Sequence, residues 1–280
     1  MHDRFDFERL GGFRLLVACV AGVLLPLAPF ATPARAEPLT GRQIMERVDA
    51  RNDGDREQRD MEMRLIDKNG STRTRQLRMW RRDVGEDVQS ILFFVTPADV
   101  KDTGFLTYDY DDPNKDDDQW LYLPALKKTK RIATGDKSGS FMGSDFSYAD
   151  LTERNLANYD YRLIREDEVN GVKVWQVEAT PNTPKEIEET GYTKSVYVVR
   201  QDNDVMVRAI SWLRRGGRMK YYEVKRLEQI DGIWVATEMH MSTRKDDTTL
   251  HKTVLKLENV RFDQPIDESR FSVRQLEKGQ

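Results

Sequence analysis

Cysteine and histidine are scarce in this sequence of 280 residues, which contains one cysteine and three histidines. The cysteine, Cys19, lies in an N-terminal segment that we expect to be removed. The remaining chain therefore offers no disulfide, no thiolate metal site and no cysteine nucleophile. An excess of positive charge is missing too, since the formal net charge is −3. Nucleic-acid-binding domains carry a basic surface, so this balance argues against that function.

A long hydrophobic run is also missing. The apolar stretch at 15–30 is shorter than the roughly 20 residues that a membrane-spanning helix needs. Basic residues precede this stretch and Ala34-Arg35-Ala36 follows it, an order typical of secretory signal peptides. We therefore predict a cleaved signal peptide at 1–36 and export to the periplasm. The mature chain, 37–280, shows no linker and no shift in composition, which predicts a single domain.

An alternative processing site lies inside this segment, because Leu16-Val17-Ala18-Cys19 resembles a lipoprotein cleavage site. Lipidation of Cys19 would require an apolar region before the cysteine. Only four residues separate Arg14 from Cys19, and the longer apolar stretch follows the cysteine instead. The pattern therefore favours cleavage after Ala36.

Alternation of polar and apolar residues predicts that most of the mature chain is β-structure. One helix is predicted first, at 39–51, with Thr40 as its N-cap. The first β-hairpin turns at Lys68-Asn69-Gly70, and the apolar run 91–95 predicts a strand that is buried on both faces. Further strands are predicted at 103–110, 119–123, 127–132, 159–168, 172–180, 193–200, 204–214, 218–229, 233–243 and 248–262.

Many strands, tight turns and few helices predict a mainly β fold with one large, curved antiparallel sheet, an incomplete β-barrel with a few covering helices. Two short helices cannot cover the apolar face of such a sheet, so we expect a hydrophobic cavity that binds apolar ligands. Methionine suits its walls because its side chain is flexible and polarizable. The candidate ligand-binding residues of the cavity and its lid are Met61, Met63, Leu65, Leu77, Met79, Phe93, Phe141, Met142, Met239 and Met241.

The middle of the chain departs from the strand pattern. Residues 134–145 form a Gly/Ser-rich loop that carries the isolated apolar pair Phe141-Met142. A short helix is predicted at 147–156, where Ser147 and Asp150 have the spacing of a capping box. The apolar pair has two interpretations: a lid that closes the cavity, or an anchor that packs permanently into the core.

The sequence offers little for catalysis, since it contains no nucleophile elbow, zinc-protease helix or phosphate-binding loop. His240 and His251 fall on neighbouring predicted strands, and with Asp246 and Asp247 they could bind a metal. Alternation instead places the two histidines on the polar face of a hairpin. We therefore expect no enzyme activity, no metal and no cofactor.

Two charged runs also have two interpretations each. Acidic residues at 109–118 could hold calcium, but they lack the spacing of a calcium-binding loop and fit a solvated hairpin tip better. Basic residues at 127–131 could meet an anionic lipid head group or a membrane surface. A solvated strand face is the more ordinary interpretation of that run.

With these residues in view, the mature chain resembles the outer-membrane lipoprotein-sorting family, the LolA-like periplasmic carriers, in a broader branch of that family. The most specific stretch is 119–151, QWLYLPALKKTKRIATGDKSGSFMGSDFSYADL. The segments GYTKSVYVV, EQIDGIWVATEMHM and NVRFDQPIDESRFS agree in order and spacing. The resemblance extends over nearly the whole mature chain, from about residue 39 to residue 276.

The resemblance implies a LolA/LolB-like incomplete barrel whose helices cover an apolar cavity. It further implies a monomeric periplasmic chaperone that carries lipid or lipoprotein acyl chains. An inner-membrane exporter would hand over such cargo, and an outer-membrane acceptor would receive it. Two other hypotheses remain open: a protein-binding regulatory module of the cell envelope on the same scaffold, and a hydrolase or metal protein that uses His240 and His251.

Overall fold

The computed structural model describes residues 38–279. Both processing predictions, the signal peptide at 1–36 and the alternative at Cys19, lie outside the described residues. Residues Leu39–Gln280 form a single compact unit. Within the described range, no helix has both the length and the apolar character that crossing a membrane would require.

One antiparallel sheet of 13 strands makes up most of the unit. The strands follow the sequence predictions closely, and the expected mainly β fold with a large curved sheet is confirmed. Their bounds are β1 Arg56–Asp67, β2 Thr72–Val84, β3 Asp87–Thr96, β4 Gly104–Asp109, β5 Asp118–Leu123, β6 Lys128–Arg131, β7 Tyr159–Val169, β8 Val172–Pro181, β9 Tyr192–Arg200, β10 Met206–Leu213, β11 Arg218–Ile230, β12 Ile233–Lys245 and β13 Thr248–Phe262.

The order of the strands explains the unusual middle of the chain. The sheet runs β6-β5-β4-β3-β2-β1-β13-β12-β11-β10-β9-β8-β7, so every pair of consecutive strands is adjacent in the sheet except β6 and β7. The first and last strands of the sequence pair with each other in the centre. The two sheet edges, β6 and β7, are consecutive in the chain. The connection between them, residues 132–158, must therefore pass from one edge of the sheet to the other, and we call it the crossing segment.

Three α-helices accompany the sheet in the described part of the chain: α1 Gly41–Asp49, α2 Pro184–Thr190 and α3 Val273–Lys278. The predicted cap of α1 is confirmed, because the Thr40 hydroxyl accepts from the backbone of Gln43 at 3.2 Å. Gly41 permits close packing of α1 on β7, since a Cβ at this position would lie 2.7 Å from the backbone of Arg162. Helix α3 contacts β4, β5 and β6.

The helix predicted at 147–156 is wrong in length. Only a 3-10 turn forms there, at Tyr148–Leu151, and a second one follows at Leu156–Asn158. The predicted cap still exists, because the Asp150 carboxylate accepts from the backbone N–H of Ser147 at 2.8 Å. Asp150 is also drawn into contacts with the sheet, and these tertiary contacts override the local helical pattern.

The two faces of the sheet are buried in different ways. We call the inner face the side that carries Met63, Leu92 and Met241, and the outer face the side that carries Ile91 and Phe93. Strand β3 is buried on both faces, as its apolar run predicts. Its inner side joins the main apolar cluster, and its outer side packs with residues near α3, including Leu276.

Candidate ligand cavity

A cavity of about 620 Å³ lies against the inner face of the sheet. This volume falls in the range of roughly 300–1,000 Å³ that is usual for small-ligand sites. Side chains of strands β1 to β4, β7 and β9 to β13 line it, together with α1 and the crossing segment. The sheet, one helix and the crossing segment therefore surround a common space.

Most of the residues predicted for the cavity do line it. Leu65 and Met142 belong to the main apolar cluster of the inner face but do not line the cavity. The predicted residues that line the cavity are Met61, Met63, Leu77, Met79, Phe141, Met239 and Met241.

Phe93 lies on the other side of the sheet. Its ring is fully buried on the outer face, where it packs edge-to-face with Trp80 at a centroid distance of 6.4 Å. The placement of Phe93 in the cavity must therefore be corrected. In a run that is apolar on both faces, alternation fixes which residues share a face but not which face is inside. Leu92 is the residue of this strand that reaches the cavity.

The Phe141-Met142 pair holds the crossing segment against the sheet. The Phe141 side chain is 1% exposed, and its ring centre lies 5.2 Å from that of Phe105 and 6.0 Å from that of Phe94. The Met142 carbonyl accepts from Nη1 of Arg75 at 2.6 Å. Of the two interpretations of this pair, these contacts favour the anchor: Phe141 is at once a core residue and part of the cavity wall.

A buried carboxylate fastens the same segment to the centre of the sheet. Asp145 accepts from the hydroxyls of Thr243 and Thr253 at 2.6 and 2.8 Å, and its Oδ2 lies 2.6 Å from Nδ1 of His251. These partners stand on β12 and β13. One acidic side chain thereby fixes the loop to two strands, and His251 contributes to that attachment.

The two histidines have different partners. Nε2 of His240 lies 2.9 Å from a carboxylate oxygen of Glu238, whereas His251 contacts Asp145. No cluster of three or more potential metal ligands occurs in the range 38–279, which includes the acidic residues of 109–118. Some of those acidic residues form ion pairs instead, such as Asp116 with Lys185 at 2.5 Å.

The basic run at 127–131 forms the short edge strand β6 and the turn before it. Its side chains are mostly exposed, and Lys130 pairs with Asp136 at 3.2 Å. A short, charged edge strand protects a sheet from pairing with other chains. This placement agrees with the interpretation of the run as a solvated strand face.

The cavity has a charged end that the sequence analysis did not identify. Asp150 pairs there with Lys220 at 3.0 Å and with Arg154 at 3.5 Å, and it accepts from the hydroxyl of Tyr192 at 2.8 Å. Arg154 also donates to the hydroxyl of Tyr197. All five side chains line the cavity.

The electrostatics of this end keep Asp150 ionised. Burial by itself disfavours the carboxylate, but the positive charges of Lys220 and Arg154 outweigh burial and hold the pKa of Asp150 below its ordinary value. Burial and the neighbouring Asp150 raise the pKa of Tyr192, which therefore keeps its phenolic proton. A sequence signal exists only for one member of this cluster: Lys220 has the even spacing from Tyr222 that is expected for one face of a strand.

A second titratable group lies at another part of the wall. Burial and the nearby Asp117 raise the pKa of Asp109 to about 8. Asp109 accepts from the backbone N–H of Glu153 at 2.6 Å. The Glu153 side chain is oriented toward Arg81, which also pairs with Asp53 and Asp83.

Comparison with known proteins places this architecture in a family. A family model described as "Uncharacterized protein" matches residues 86–278. A DUF1329 family protein from Desulfovibrio piger shares 30% identity with a TM-score of 0.76; the match covers 84% of this chain and 97% of that one. A proposed outer membrane lipoprotein-sorting protein domain from Vibrio parahaemolyticus shares 31% identity with the same TM-score, and the match covers 85% and 98%. The chain belongs to the DUF1329 family, and its structural neighbours include proteins described as outer membrane lipoprotein-sorting domains.

A third solved structure extends the likeness of the fold. A LolA superfamily protein from Nitrosomonas europaea shares 17% identity and a TM-score of 0.64, and the match covers 85% of this chain and all of that chain. A comparison with the curated proteins finds no match. The resemblance found in the sequence is confirmed, and the DUF1329 chain shares the LolA-like fold.

Proposed function

We propose that this DUF1329 family chain is a periplasmic carrier that holds lipid or lipoprotein acyl chains in the cavity and passes them between components of the envelope. The observation that carries the proposal is the cavity of about 620 Å³ with methionine-rich walls. The family and its fold support the proposal, since one relative is itself described as a proposed lipoprotein-sorting domain. The predicted signal peptide, residues 1–36, supports export.

The binding mechanism is burial of apolar surface. Each methylene that leaves water contributes about 0.8 kcal/mol, so an acyl chain of a dozen or more carbons gains on the order of 10 kcal/mol before the entropic costs of binding. A ligand held in this way leaves readily only when a better acceptor is available. We propose an inner-membrane exporter as donor and an outer-membrane component as acceptor. The mechanism needs no covalent step, no metal and no cofactor.

Filling the cavity tests this proposal. Met239 lines the cavity on β12, so the bulkier ring in Met239→Trp should occupy ligand space. We expect binding of a fluorescent fatty acid to weaken by about tenfold or more, the equivalent of losing roughly two buried methylenes. The measurement is a fluorescence titration of the delipidated protein.

Met219→Trp is the matched control, because Met219 is a half-buried methionine of the neighbouring strand β11 that lies outside the cavity wall. This variant should bind the fatty acid as the unchanged protein does. Equal binding by Met239→Trp and the unchanged protein would show that the acyl chain does not occupy this cavity. A folded protein that captures a specific protein partner and binds no acyl chain would point instead to the regulatory module.

A further inference from the structure

The charged end of the cavity carries more positive than negative charge. Asp150 is the only carboxylate within ion-pair distance of Arg154 or Lys220 among residues 38–279. Two cations thus share one anion, and Lys220 is only 8% exposed. Charge that is buried without compensation is costly, so such a site favours the binding of a further anion.

Hydrogen-bond donors at this end exceed the acceptors that they serve. A guanidinium has five N–H donors and an ammonium has three. Within the described chain, the partners of Arg154 at this site are Tyr197 and Asp150, and the ion-pair partner of Lys220 is Asp150. Several donors of both side chains therefore remain available on the cavity wall.

Phenol groups add neutral donors beside the two cations. Tyr197 accepts from Arg154 through its oxygen, which leaves its own proton free to donate. Tyr161 and Tyr222 also line the cavity and pack against the apolar cluster that contains Tyr197. Burial raises the pKa of Tyr222 to about 12, and burial with the nearby Tyr197 raises that of Tyr161. Both phenols hence keep their protons at neutral pH.

The charged end is continuous with the apolar wall. On the paired strands β11 and β12, Lys220 lies opposite Thr243, and Tyr222 lies opposite Met241. Directly opposed residues of antiparallel strands have Cβ atoms about 4.5–5.5 Å apart. A ligand in contact with Met241 through its chain therefore has its polar end within reach of Lys220 and the tyrosines.

We propose that Arg154 and Lys220, with the surrounding tyrosines, bind the anionic head group of an amphiphilic ligand, a phosphate or a carboxylate, whose acyl chain lies along the methionine wall. This inference rests on the proposed carrier function and deepens it by naming the class of cargo. The planar fork of Arg154 suits two oxygens of one phosphate or carboxylate, and Lys220 supplies a second charged hydrogen bond. Asp150 positions the two cations.

Ligands that share one chain but differ in the head group test this proposal. Oleate, oleoyl lysophosphatidate and neutral monoolein all carry the same C18:1 chain. We expect the delipidated full mature protein to bind at least one of the anionic ligands about tenfold or more tightly than monoolein, because charged hydrogen bonds in a buried site are strong. Calorimetric or fluorescence titration at pH 7.5 measures the ratio.

Lys220→Met should reduce that ratio by about tenfold, because it removes one of the two charged donors while Asp150 keeps Arg154 as its partner. Lys225→Met is the matched control, since Lys225 is an exposed lysine of the same strand whose ion-pair partner is Glu223. Tyr222→Phe provides a variant of nearly equal shape should Lys220→Met not fold. Tyr222→Phe should weaken binding of the tightest anionic ligand by about threefold.

The outcomes separate the two proposals. Equal binding of all three ligands, or an unchanged ratio in Lys220→Met, would overturn the head-group site and leave the carrier intact. Failure of every amphiphile to bind would overturn the carrier itself. Inorganic phosphate is the remaining probe: binding of phosphate with no gain from the acyl chain would assign the site to a free anion and would contradict the lipid head group.

Discussion

At the scale of single residues, three buried aspartates have different roles: Asp145, Asp150 and Asp109. Asp145 is almost completely buried and is satisfied by two hydroxyls and an imidazole, so its task is attachment of the crossing segment. Asp150 is buried beside two cations and remains ionised. Burial and the neighbouring Asp117 push Asp109 toward the protonated form. The environment of each carboxylate, more than its exposure, sets its role.

Asp109 should make stability depend on pH. Its pKa of about 8 in the folded protein lies above the ordinary value of 3.8, so its contribution to stability is present at low pH and is lost as the pH rises toward 8. Asn cannot ionise, so Asp109→Asn should abolish this decrease in stability at high pH. We expect the difference in Tm, variant minus unchanged protein, to grow by about 5 °C between pH 5 and pH 9.

Thermal unfolding followed by circular dichroism across that pH range provides the measurement. Asp112→Asn is the control, because Asp112 is exposed in the loop that follows β4 and hydrogen bonds from Asn114 hold its pKa below the ordinary value. Its titration therefore lies outside the range tested. Parallel Tm curves for Asp109→Asn and the unchanged protein would contradict a raised pKa at this position.

At the scale of elements, the crossing segment is the feature on which the cavity depends. Because β6 and β7 are the two sheet edges, this connection closes the space that the curved sheet leaves open. It is attached at three points: Phe141 in the apolar cluster, Asp145 on β12 and β13, and Asp150 at the charged end. Such an arrangement stabilises the wall of the cavity and fixes it to the sheet.

The anchoring role of Phe141 predicts a large effect on stability. Phe141→Ala should lower the free energy of unfolding by about 3–5 kcal/mol, since it leaves a void among buried aromatic rings. Met142→Ala should lower the free energy of unfolding by less, because Met142 is only partly buried. Urea unfolding of both variants provides the comparison. A change below about 0.5 kcal/mol for Phe141→Ala would indicate a segment that opens freely, as a lid would.

The sequence could predict the strands better than the covering elements. Strand positions follow from period-two alternation, and predicted and observed bounds differ by about one or two residues from β4 onward. Helices α2 and α3 were not predicted, because they span only Pro184–Thr190 and Val273–Lys278, too few turns for a periodic signal. Their capping residues, Thr183 and Ser272, were the available signals.

The two ends of the cavity also differ in how far the sequence predicts them. Its apolar wall was predictable because methionines alternate along β1 and β12. The face occupied by Phe93 was not, since that strand is apolar on both sides. The charged end brings together Asp150, Lys220 and Tyr192, which are distant in the sequence, and only the tertiary fold makes them neighbours.

At the scale of the whole molecule, the fold provides a large cavity whose two ends differ in chemistry. The methionine wall suits acyl chains of variable shape, and the charged end suits an anionic head group. The sheet and the crossing segment together form most of the cavity wall. A carrier of amphiphilic molecules requires such a cavity, with an apolar part for the chain and a charged part for the head group.

The central claim, a carrier with acyl cargo in its cavity, is tested most directly by native mass spectrometry of the mature protein purified from the periplasm without detergent, combined with extraction of bound lipid. The account predicts a bound species of lipid mass whose extract contains an acyl chain, and its depletion in Met239→Trp but not in Met219→Trp. A protein that stays free of ligand, even after incubation with membranes and acylated peptides, would contradict the account.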